Sequence, residues 1–485
     1  MDKQATPHFK QSLGLIDGTL IVIGSMIGSG IFIVSADMSR NVGGAGWLIA
    51  VWLITGFMTI TAAVSYGELG GMFPKAGGQY VYLKEAYNPF VAFLYGWGLF
   101  AVIQTATIAA VAIAFAKFTG YVWHSVGEEV LILAIGTFKI SAAQLLAIAS
   151  IVLLTWLNTK GIKEGKMIQR VFTGAKLLSL FGLIILGLFL IKPDVWQANW
   201  GEDAWKIGRG THENGSWQII PYAGMGAILG GIAAAMVGSV FASDAWNNVT
   251  FVAGEMKNPS RNIGLSLFFG TLTVTIIYVM ANLMYTGVLT MQEIGTARNE
   301  RVAVAAAESI FSDIGPIIIA IMIMISTFGC NNGLILAGSR VFHTMAKDGL
   351  FFREAGKLNQ NAVPAWALWS QAIVASILCL SGKYGDLLDM ISFVVVLFYV
   401  LTIAGIFILR KKAPHHERPY KAFGYPVLPL IYIIMGLSFC ILLLIYRPGY
   451  TWPGFLITAI GIPLYFIAKK TFRAKPDVET ESERR

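Results

Sequence analysis

Twelve long runs of apolar residues divide this sequence, and they constrain its fold more than any other feature. A helix needs about 20 mostly apolar residues to cross the hydrocarbon core of a bilayer. Only helices and closed barrels satisfy their backbone groups in lipid, and these runs are too long and continuous for barrel strands. The sequence therefore predicts an all-α membrane protein with transmembrane helices over residues 14–37, 46–66, 89–116, 141–157, 168–191, 223–253, 264–288, 315–340, 366–382, 388–409, 427–446 and 453–468.

The composition supports this assignment and excludes several other classes. Charged residues make up 13% of the 485 residues and hydrophobic ones 56%, whereas soluble proteins average roughly 25% and 45–50%. So few charges exclude a cytosolic enzyme, a disordered protein and a secreted disulfide scaffold. The three cysteines, Cys330, Cys379 and Cys440, each lie inside an apolar run, so we expect no disulfide-linked partner chain.

The positions of the basic residues predict the orientation in the membrane. With twelve spans, both termini lie on the same side, and that side holds 25 of the 36 Lys and Arg residues. The opposite side holds ten, and Lys176 lies within a span. The positive-inside rule then places both termini in the cytoplasm, in a cell membrane. The net charge of +9 therefore reflects topology, and we expect no nucleic-acid partner.

Two of the spans carry interruptions near their middle. The first span contains Gly24, Gly28 and Gly30, and each glycine disfavours a helix by about 1 kcal/mol relative to alanine. The sixth span becomes polar between Ser243 and Asn248. Small residues also serve close helix packing, which remains the alternative for the glycines that precede these segments. The concentration of hydrogen-bonding groups predicts that spans one and six are broken helices.

The two interruptions occupy equivalent places if spans one to five and six to ten form two halves. Because five is odd, the second half is inverted, an arrangement typical of secondary transporters. The predicted organisation is a cytoplasmic tail (1–13), a first five-helix repeat (14–192), an extracellular loop (193–222), a second, inverted five-helix repeat (223–410), a cytoplasmic loop (411–426), two accessory helices (427–468) and a cytoplasmic tail (469–485).

Four segments carry a family resemblance. They are GSMIGSGIF at 24–32, SYGELGGMFPKAGGQYVYLKEAY at 65–87, FASDAWNNVTFVAGEMKNPSRNIG at 241–264 and STFGCNNGLILAGSRVF at 326–342. In this order they resemble the amino acid–polyamine–organocation (APC) superfamily of transporters, and most closely its L-type amino acid transporter branch. The resemblance implies a LeuT-like fold with discontinuous helices one and six, and an alternating-access carrier of amino acids.

The first interruption has the groups that an amino acid head group requires. A helix that resumes at Gly30 presents the amides of Gly28, Ser29 and Gly30, and the Ser29 hydroxyl, to a carboxylate. The resemblance places Ser29 and Gly30 at the family's carboxylate positions. It also makes Phe241 the aromatic gate over the substrate, the alternative being a packing aromatic. The ammonium group would bind the carbonyls of Met26, Ile27, Phe241 and Asp244.

The polar residues of span six, Ser243, Asp244 and Asn247, bear on selectivity. Some relatives that handle cationic substrates carry an acid at the position of Asn247, and the amide here resembles the neutral-substrate branch. The leading prediction is therefore a carrier of neutral L-amino acids, by exchange or proton coupling. A carboxylate at the midplane, Asp244, could itself attract a guanidinium or ammonium group. A cationic amino acid or polyamine antiporter remains the alternative.

Lys176 lies deep in span five, about 10 Å from its start at 1.5 Å per residue. A lysine at this depth could extend its ammonium group to the interface. The resemblance implies a different role, in which the ammonium replaces the sodium ion of sodium-coupled relatives. It would then bridge carbonyls of span one, such as Gly24, to the hydroxyls of Ser326 or Thr327, and transport would be sodium-independent.

Other functions lack their motifs. No GxxxxGK[ST] stretch is present, so ATP-driven pumping is not expected. The adjacent His415 and His416 have no patterned third ligand and predict no metal site. A channel would require a continuous polar stripe, and a membrane sensor would require a soluble effector domain. We therefore expect no enzyme activity and no cofactor, with an amino acid substrate and the lipid bilayer as the partners.

Overall fold

The computed structural model describes residues 13–74, 77–135, 138–161, 165–213, 215–311, 314–361, 363–381 and 384–473. The predicted terminal tails lie outside the described residues, apart from Leu13 and residues 469–473. The described chain forms the helices α1 (Leu15–Met26), α2 (Gly30–Ile33), α3 (Ser35–Val42), α4 (Ala45–Met72), α5 (Gln79–Ala86), α6 (Pro89–Gly98), α7 (Gln104–Val122), α8 (Ala142–Thr159), α9 (Gly165–Phe189), α10 (Pro193–Trp200), α11 (Met225–Ala242), α12 (Pro259–Val288), α13 (Met291–Gly295), α14 (Val302–Ile310), α15 (Gly315–Lys347), α16 (Ala365–Ser381), α17 (Tyr384–Lys412), α18 (Val427–Tyr446) and α19 (Pro448–Arg473).

Shorter helical turns complete these elements. A π-helical turn, Leu99–Ile103, joins α6 to α7 within a single span. Tighter 3₁₀ turns cover His124–Val126, Trp246–Glu255, Arg298–Glu300 and Arg353–Gly356.

Most of the predicted spans correspond to long apolar helices. Within the described ranges, nine helical segments are long and apolar enough to cross a membrane, and a tenth is counted if α9 and α10 form one bent span. The shorter apolar helices α1 and α16 lie at the two remaining predicted positions. The prediction of a helical multi-pass membrane protein is therefore confirmed. Span one falls short of full length because its helix ends at Met26.

Two loops contain β-hairpins that the all-α prediction did not include. Strand β1 (Leu131–Ile135) pairs with β2 (Phe138–Ser141), and β3 (Gly208–Glu213) pairs with β4 (Ser216–Pro221), both antiparallel. Strands with open edges are tolerated there because water, absent from the hydrocarbon core, can satisfy their free backbone groups. In the loop predicted over 193–222, the Trp217 indole donates to the Gly43 carbonyl at 3.1 Å, which fixes the hairpin over the end of α3.

A buried carboxylate fastens the loop between α17 and α18 to the bundle. Glu68 on α4 is fully buried and accepts two hydrogen bonds from Arg410, at 3.0 and 2.6 Å. Arg418 lies 3.4 Å from the same carboxylate, and the Ala422 amide donates to it at 2.8 Å. With this set of partners Glu68 has a structural role in the fold, apart from any substrate.

Candidate functional site

The first span is interrupted over residues 27–29. Helix α1 ends at Met26, and Ile27 adopts φ −72° and ψ 90°, which a continuing α-helix does not allow. The chain becomes helical again at Gly30 and remains so through Val34 into α3. The first amides of a helix have no partner within it. Among the described residues, the amides of Gly28, Ser29 and Gly30 have no hydrogen-bond acceptor.

The sixth span is interrupted directly after Ala242. Helix α11 ends there, and the chain then turns through residues 243–245 into the 3₁₀ segment Trp246–Glu255. Ala245 has φ 63°, in the left-handed region, which costs an alanine roughly 1–2 kcal/mol. Strained backbone of this kind clusters at functional sites. Both interruptions therefore lie where the glycine cluster and the polar segment predicted them.

The two interruptions are in direct contact through small residues. A Cβ atom added to Gly30 would lie 2.6 Å from the Cβ and 2.9 Å from the Cα of Ala242. Only glycine at position 30 permits this approach, because real Cβ atoms do not come so close to a backbone atom. The contact joins the start of α2 to the end of α11.

A tyrosine that sequence reasoning missed connects the same two helix ends. The Tyr278 hydroxyl, on α12, lies 2.9 Å from the Met26 carbonyl and 3.0 Å from the Ala242 carbonyl. One hydroxyl hydrogen is therefore shared between the last carbonyls of α1 and α11. The only signal in the sequence is a polar side chain inside an apolar run, which marks a functional position in a membrane protein.

Lys176 lies against the end of α1. Its side chain is buried, and its ammonium group donates to the Gly24 carbonyl and, at 3.0 Å, to the Ile27 carbonyl. The two hydroxyls of α15 that the sequence analysis paired with Lys176 have different surroundings. The Thr327 hydroxyl donates to the Ile323 carbonyl of its own helix at 2.8 Å. The Ser326 hydroxyl, fully buried, has no hydrogen-bond partner among the described residues.

A cavity of about 40 Å³ lies beside the second interruption. The Asn247 amide at its wall donates to Gln79 at 3.2 Å, and Gln79 donates in turn to Thr402 at 3.1 Å. The cavity is bordered by the π-helical turn, an element that recurs at functional sites. Its lining comprises Gln79, Tyr95, Leu99, Ile103, Gln104, Thr107, Asp244, Ala245, Asn247, Asn248, Phe251, Leu334, Val395, Phe398 and Tyr399.

A smaller second cavity, of about 20 Å³, lies behind the same interruption. Ser243, predicted to bind substrate, lines this second cavity. Asp244 lines both cavities, and its carboxylate accepts a hydrogen bond from the Tyr399 hydroxyl at 2.6 Å. The structure therefore separates the predicted polar residues of span six between two cavities, and residues 24–30 line neither of them.

Aromatic and charged side chains cover the site on one side. The Phe241 ring lies edge-to-face against Tyr384, with ring centroids 6.0 Å apart. The Tyr384 hydroxyl is 3.1 Å from the Ser29 hydroxyl, and the Lys117 ammonium lies 5.4 Å from the Tyr384 ring. Phe241, the predicted gate residue, thus contacts Tyr384, whose hydroxyl lies next to Ser29 at the predicted carboxylate position.

An ion-pair cluster around Glu300 lies next to these side chains and includes Lys117. Glu300 lies 3.3 Å from Lys117 and 2.7 Å from Arg40. Burial acts to raise the pKa of Glu300, but the two neighbouring cations outweigh it and hold this pKa below its usual value. The carboxylate therefore stays charged and links α3, which follows the first interruption, to α7.

Cys330, on α15, also lies at the first interruption. Its Sγ atom is 3.4 Å from the place a Cβ on Gly28 would occupy. The contact places α15 beside the amides of residues 28–30. No spacing rule in the sequence could have identified it.

The chain is similar to known proteins over almost its whole length. The Amino acid permease family pattern matches residues 13–466. Large neutral amino acids transporter small subunit 2 of Homo sapiens is 30% identical over 459 residues, which are 94% of this chain and 80% of that protein. The b(0,+)-type amino acid transporter 1 of Oryctolagus cuniculus is 29% identical over 421 residues, covering 87% and 80% of the two chains. Asc-type amino acid transporter 1 of Mus musculus is 28% identical over 471 residues, with 96% and 82% covered.

Proposed function

Because the chain belongs to the amino acid permease family, in the L-type branch of the APC superfamily, we propose that it is a secondary active carrier of neutral L-amino acids. The family and these relatives are transporters rather than enzymes. The observation that supports the proposal best is the set of free amides at Gly28, Ser29 and Gly30. They form the donor site that a substrate carboxylate needs at the positive end of a helix.

The ammonium group of the substrate would bind carbonyls on the other side of the interruptions. The carbonyls of Met26 and Ile27 each already accept one hydrogen bond, from Tyr278 and Lys176, and each retains a second lone pair. The Phe241 carbonyl accepts from the Ser243 and Asp244 amides. The Asp244 carbonyl accepts no hydrogen bond among the described residues. Because these are peptide groups, they would recognise the part that all amino acids share.

The proposed transport cycle is alternating access in a LeuT-like arrangement. Residues 14–192 and 223–410 would form the two inverted repeats, with residues 427–468 as accessory helices and both termini in the cytoplasm. The support is that each interruption lies in the first span of its half. Residues 193–222 would be extracellular, and the membrane would be the plasma or inner membrane.

The proposed carrier is sodium-independent. The Lys176 ammonium lies on the Gly24 and Ile27 carbonyls, a position in which a bound cation would neutralise the end of α1. A fixed positive charge there removes the need for a sodium ion. Exchange of one amino acid for another, or proton coupling, would then drive transport.

A second candidate function has its own supporting observation. Asp244 has no Lys, Arg or His partner within 4 Å among the described residues, and it borders the first cavity. A cationic amino acid or polyamine would pair with this carboxylate. We favour neutral substrates because the neighbouring Asn247 is an amide.

Head-group analogues test the proposal. In proteoliposomes preloaded with alanine, we expect leucine to compete with radiolabelled alanine for uptake, and leucine methyl ester and 4-methylvalerate not to compete. The ester lacks the carboxylate and 4-methylvalerate lacks the ammonium group. Competition by the ester equal to that of leucine would contradict head-group recognition. Competition by arginine but not by leucine would favour the second candidate.

A substitution of Tyr278 tests the junction of the two interruptions. Tyr278→Phe leaves two buried carbonyls without their donor, which costs roughly 1–3 kcal/mol. We expect kcat/KM for alanine uptake to fall about tenfold, since each 1.4 kcal/mol is one factor of ten. The matched control is Tyr465→Phe on α19, whose ring packs on Phe90 and Phe93. Equal losses in the two variants would exclude a specific role for Tyr278.

A further inference from the structure

The outer halves of the two broken spans pack against each other. They are α3, which follows the first interruption, and α11, which precedes the second. A Cβ atom added to Gly238 on α11 would lie 2.8 Å from the Cβ of Val34, the residue before α3. The Tyr222 hydroxyl donates to the Asn41 carbonyl at 2.8 Å, and the Tyr222 ring lies against Gly231. In the proposed transport cycle α3 and α11 would therefore move together.

The accessory helices α18 and α19 are fixed to α17. A Cβ atom added to Gly436 on α18 would lie 2.5 Å from a methyl group of Val400 on α17. One turn further on, the Cys440 thiol is 3.8 Å from the Phe393 carbonyl. From α19, the Phe455 ring packs edge-to-face on the Phe393 ring, with centroids 6.1 Å apart. The position of α17 therefore determines that of the corner between α18 and α19, which is on the outer side in the proposed orientation.

Tyr446, the last residue of α18, packs at this corner on the surface of α11. A Cβ atom added to Gly230 would lie 2.5 Å from the Tyr446 ring, and one added to Gly226, one turn earlier, would lie 2.9 Å from its hydroxyl oxygen. Glycines at both positions allow the ring to lie directly against the helix. The corner is thus in contact with the outer half of the sixth span.

Arg447, the next residue, contacts both α3 and α17. Its guanidinium donates to the side-chain oxygen of Asn41 at 3.0 Å and lies 3.4 Å from the Asp37 carboxylate, both on α3. The same group lies 3.7 Å from the Asp389 carboxylate on α17. A planar guanidinium presents five donors, so one side chain can contact two helices. Residues 446 and 447 together connect α3 and α11 to α17.

The structure is covered on the side to which this corner belongs. Ser29 and Phe241 are buried, and Tyr384, at the start of α17, contacts both of them. Opening this side requires α3 and α11 to separate from α17. That separation would break the contacts of Arg447 with one of its two helices.

We propose that Tyr446 and Arg447 are positioning residues that hold the carrier closed toward the outside. The accessory helices would then determine how often the substrate site opens there. A partly exposed ion pair contributes little free energy, so these contacts would shift the equilibrium between the open and closed forms without preventing transport. The proposal rests on the proposed function, because it assigns a role within the alternating-access cycle.

The reactivity of Cys330 tests this inference, because that thiol lies at the first interruption. A membrane-impermeant methanethiosulfonate reagent is added outside intact cells that produce the protein, and modification of Cys330 is followed by mass spectrometry. We expect Arg447→Gln to react about fivefold faster than the unmodified protein, the upper end for a partly exposed ion pair. A site that is open more often also binds with higher apparent affinity. The external alanine concentration for half-maximal uptake should therefore fall, which a merely structural defect would not cause.

Two further variants complete the experiment. Tyr446→Ala removes the ring from α11 and should also accelerate the reaction. Arg298→Gln is the matched control, because it breaks an exposed outer ion pair, 2.9 Å from Glu129, and should react at the unmodified rate. Unchanged reactivity in both corner variants, or an equal increase in Arg298→Gln, would overturn the proposal. Failure of external alanine to protect Cys330 in the unmodified protein would contradict the proposed function instead, since the reaction itself needs no substrate.

Discussion

A Lys176→Met variant is expected to lose at least about 100-fold in kcat/KM for amino acid uptake. Each hydrogen bond from a charged donor contributes roughly 1.5–3 kcal/mol, and this ammonium group donates to the carbonyls of Gly24 and Ile27. Methionine preserves the length and apolar packing of the side chain but supplies no donor. The end of α1 would then lose the charge that holds it in the interrupted form. Radiolabelled alanine exchange in proteoliposomes measures the loss.

Lys160→Met is the matched control for this substitution. Lys160 follows α8, is exposed, and has its ammonium 5.5 Å from the Trp156 ring. It should retain transport close to that of the unmodified protein, and gel filtration in detergent should show both variants folded. Transport by Lys176→Met at the unmodified rate would refute the role assigned to this lysine.

A Gly30→Ala variant is expected to show a comparable loss, for a steric reason. The added Cβ would lie 2.6 Å from the Cβ of Ala242 and 2.9 Å from its Cα, so the two interruptions would have to separate. Displacement of this kind misaligns the amides that bind the carboxylate, and misplacement by about 1 Å in a binding site can cost 100-fold in rate. Uptake of alanine over a range of concentrations measures the change in kcat/KM.

Two further variants separate this contact from a general effect of alanine. Gly182→Ala adds a Cβ on α9, where among the described residues no atom beyond the adjoining helix backbone lies within 4 Å, and should transport normally. Ala242→Gly in the Gly30→Ala background removes the closest contact and should restore part of the lost rate. Normal transport by Gly30→Ala alone would show that the contact is not required.

The sequence predicted the spans and the interruptions because both are local properties. Long apolar runs reveal membrane helices without knowledge of their neighbours. The glycines at 24–30 and the polar residues from Ser243 onward mark the places where α1 and α11 end. The hairpin β3–β4 was missed because short strands in a loop carry little periodicity.

The contacts across the bundle could not be predicted in the same way. Tyr278 reaches Met26 from 252 residues away in sequence, and Gln79 reaches Thr402 from 323 residues away. In the sequence, Tyr278 and Gln79 are each a single polar residue within a segment, and nothing there indicates which residue each one contacts. Thr327 illustrates the same limit, because helical threonines often bond the carbonyl four residues back, as Thr327 does with Ile323, and the sequence does not indicate which partners such a hydroxyl takes.

A cryo-electron microscopy structure of the protein in lipid nanodiscs with bound alanine tests the central claim most directly. We predict that the alanine carboxylate accepts hydrogen bonds from the amides of Ser29 and Gly30, and that its ammonium group donates to carbonyls at the ends of α1 and α11. Alanine bound elsewhere, or held through its carboxylate by a lysine or arginine side chain, would contradict the account.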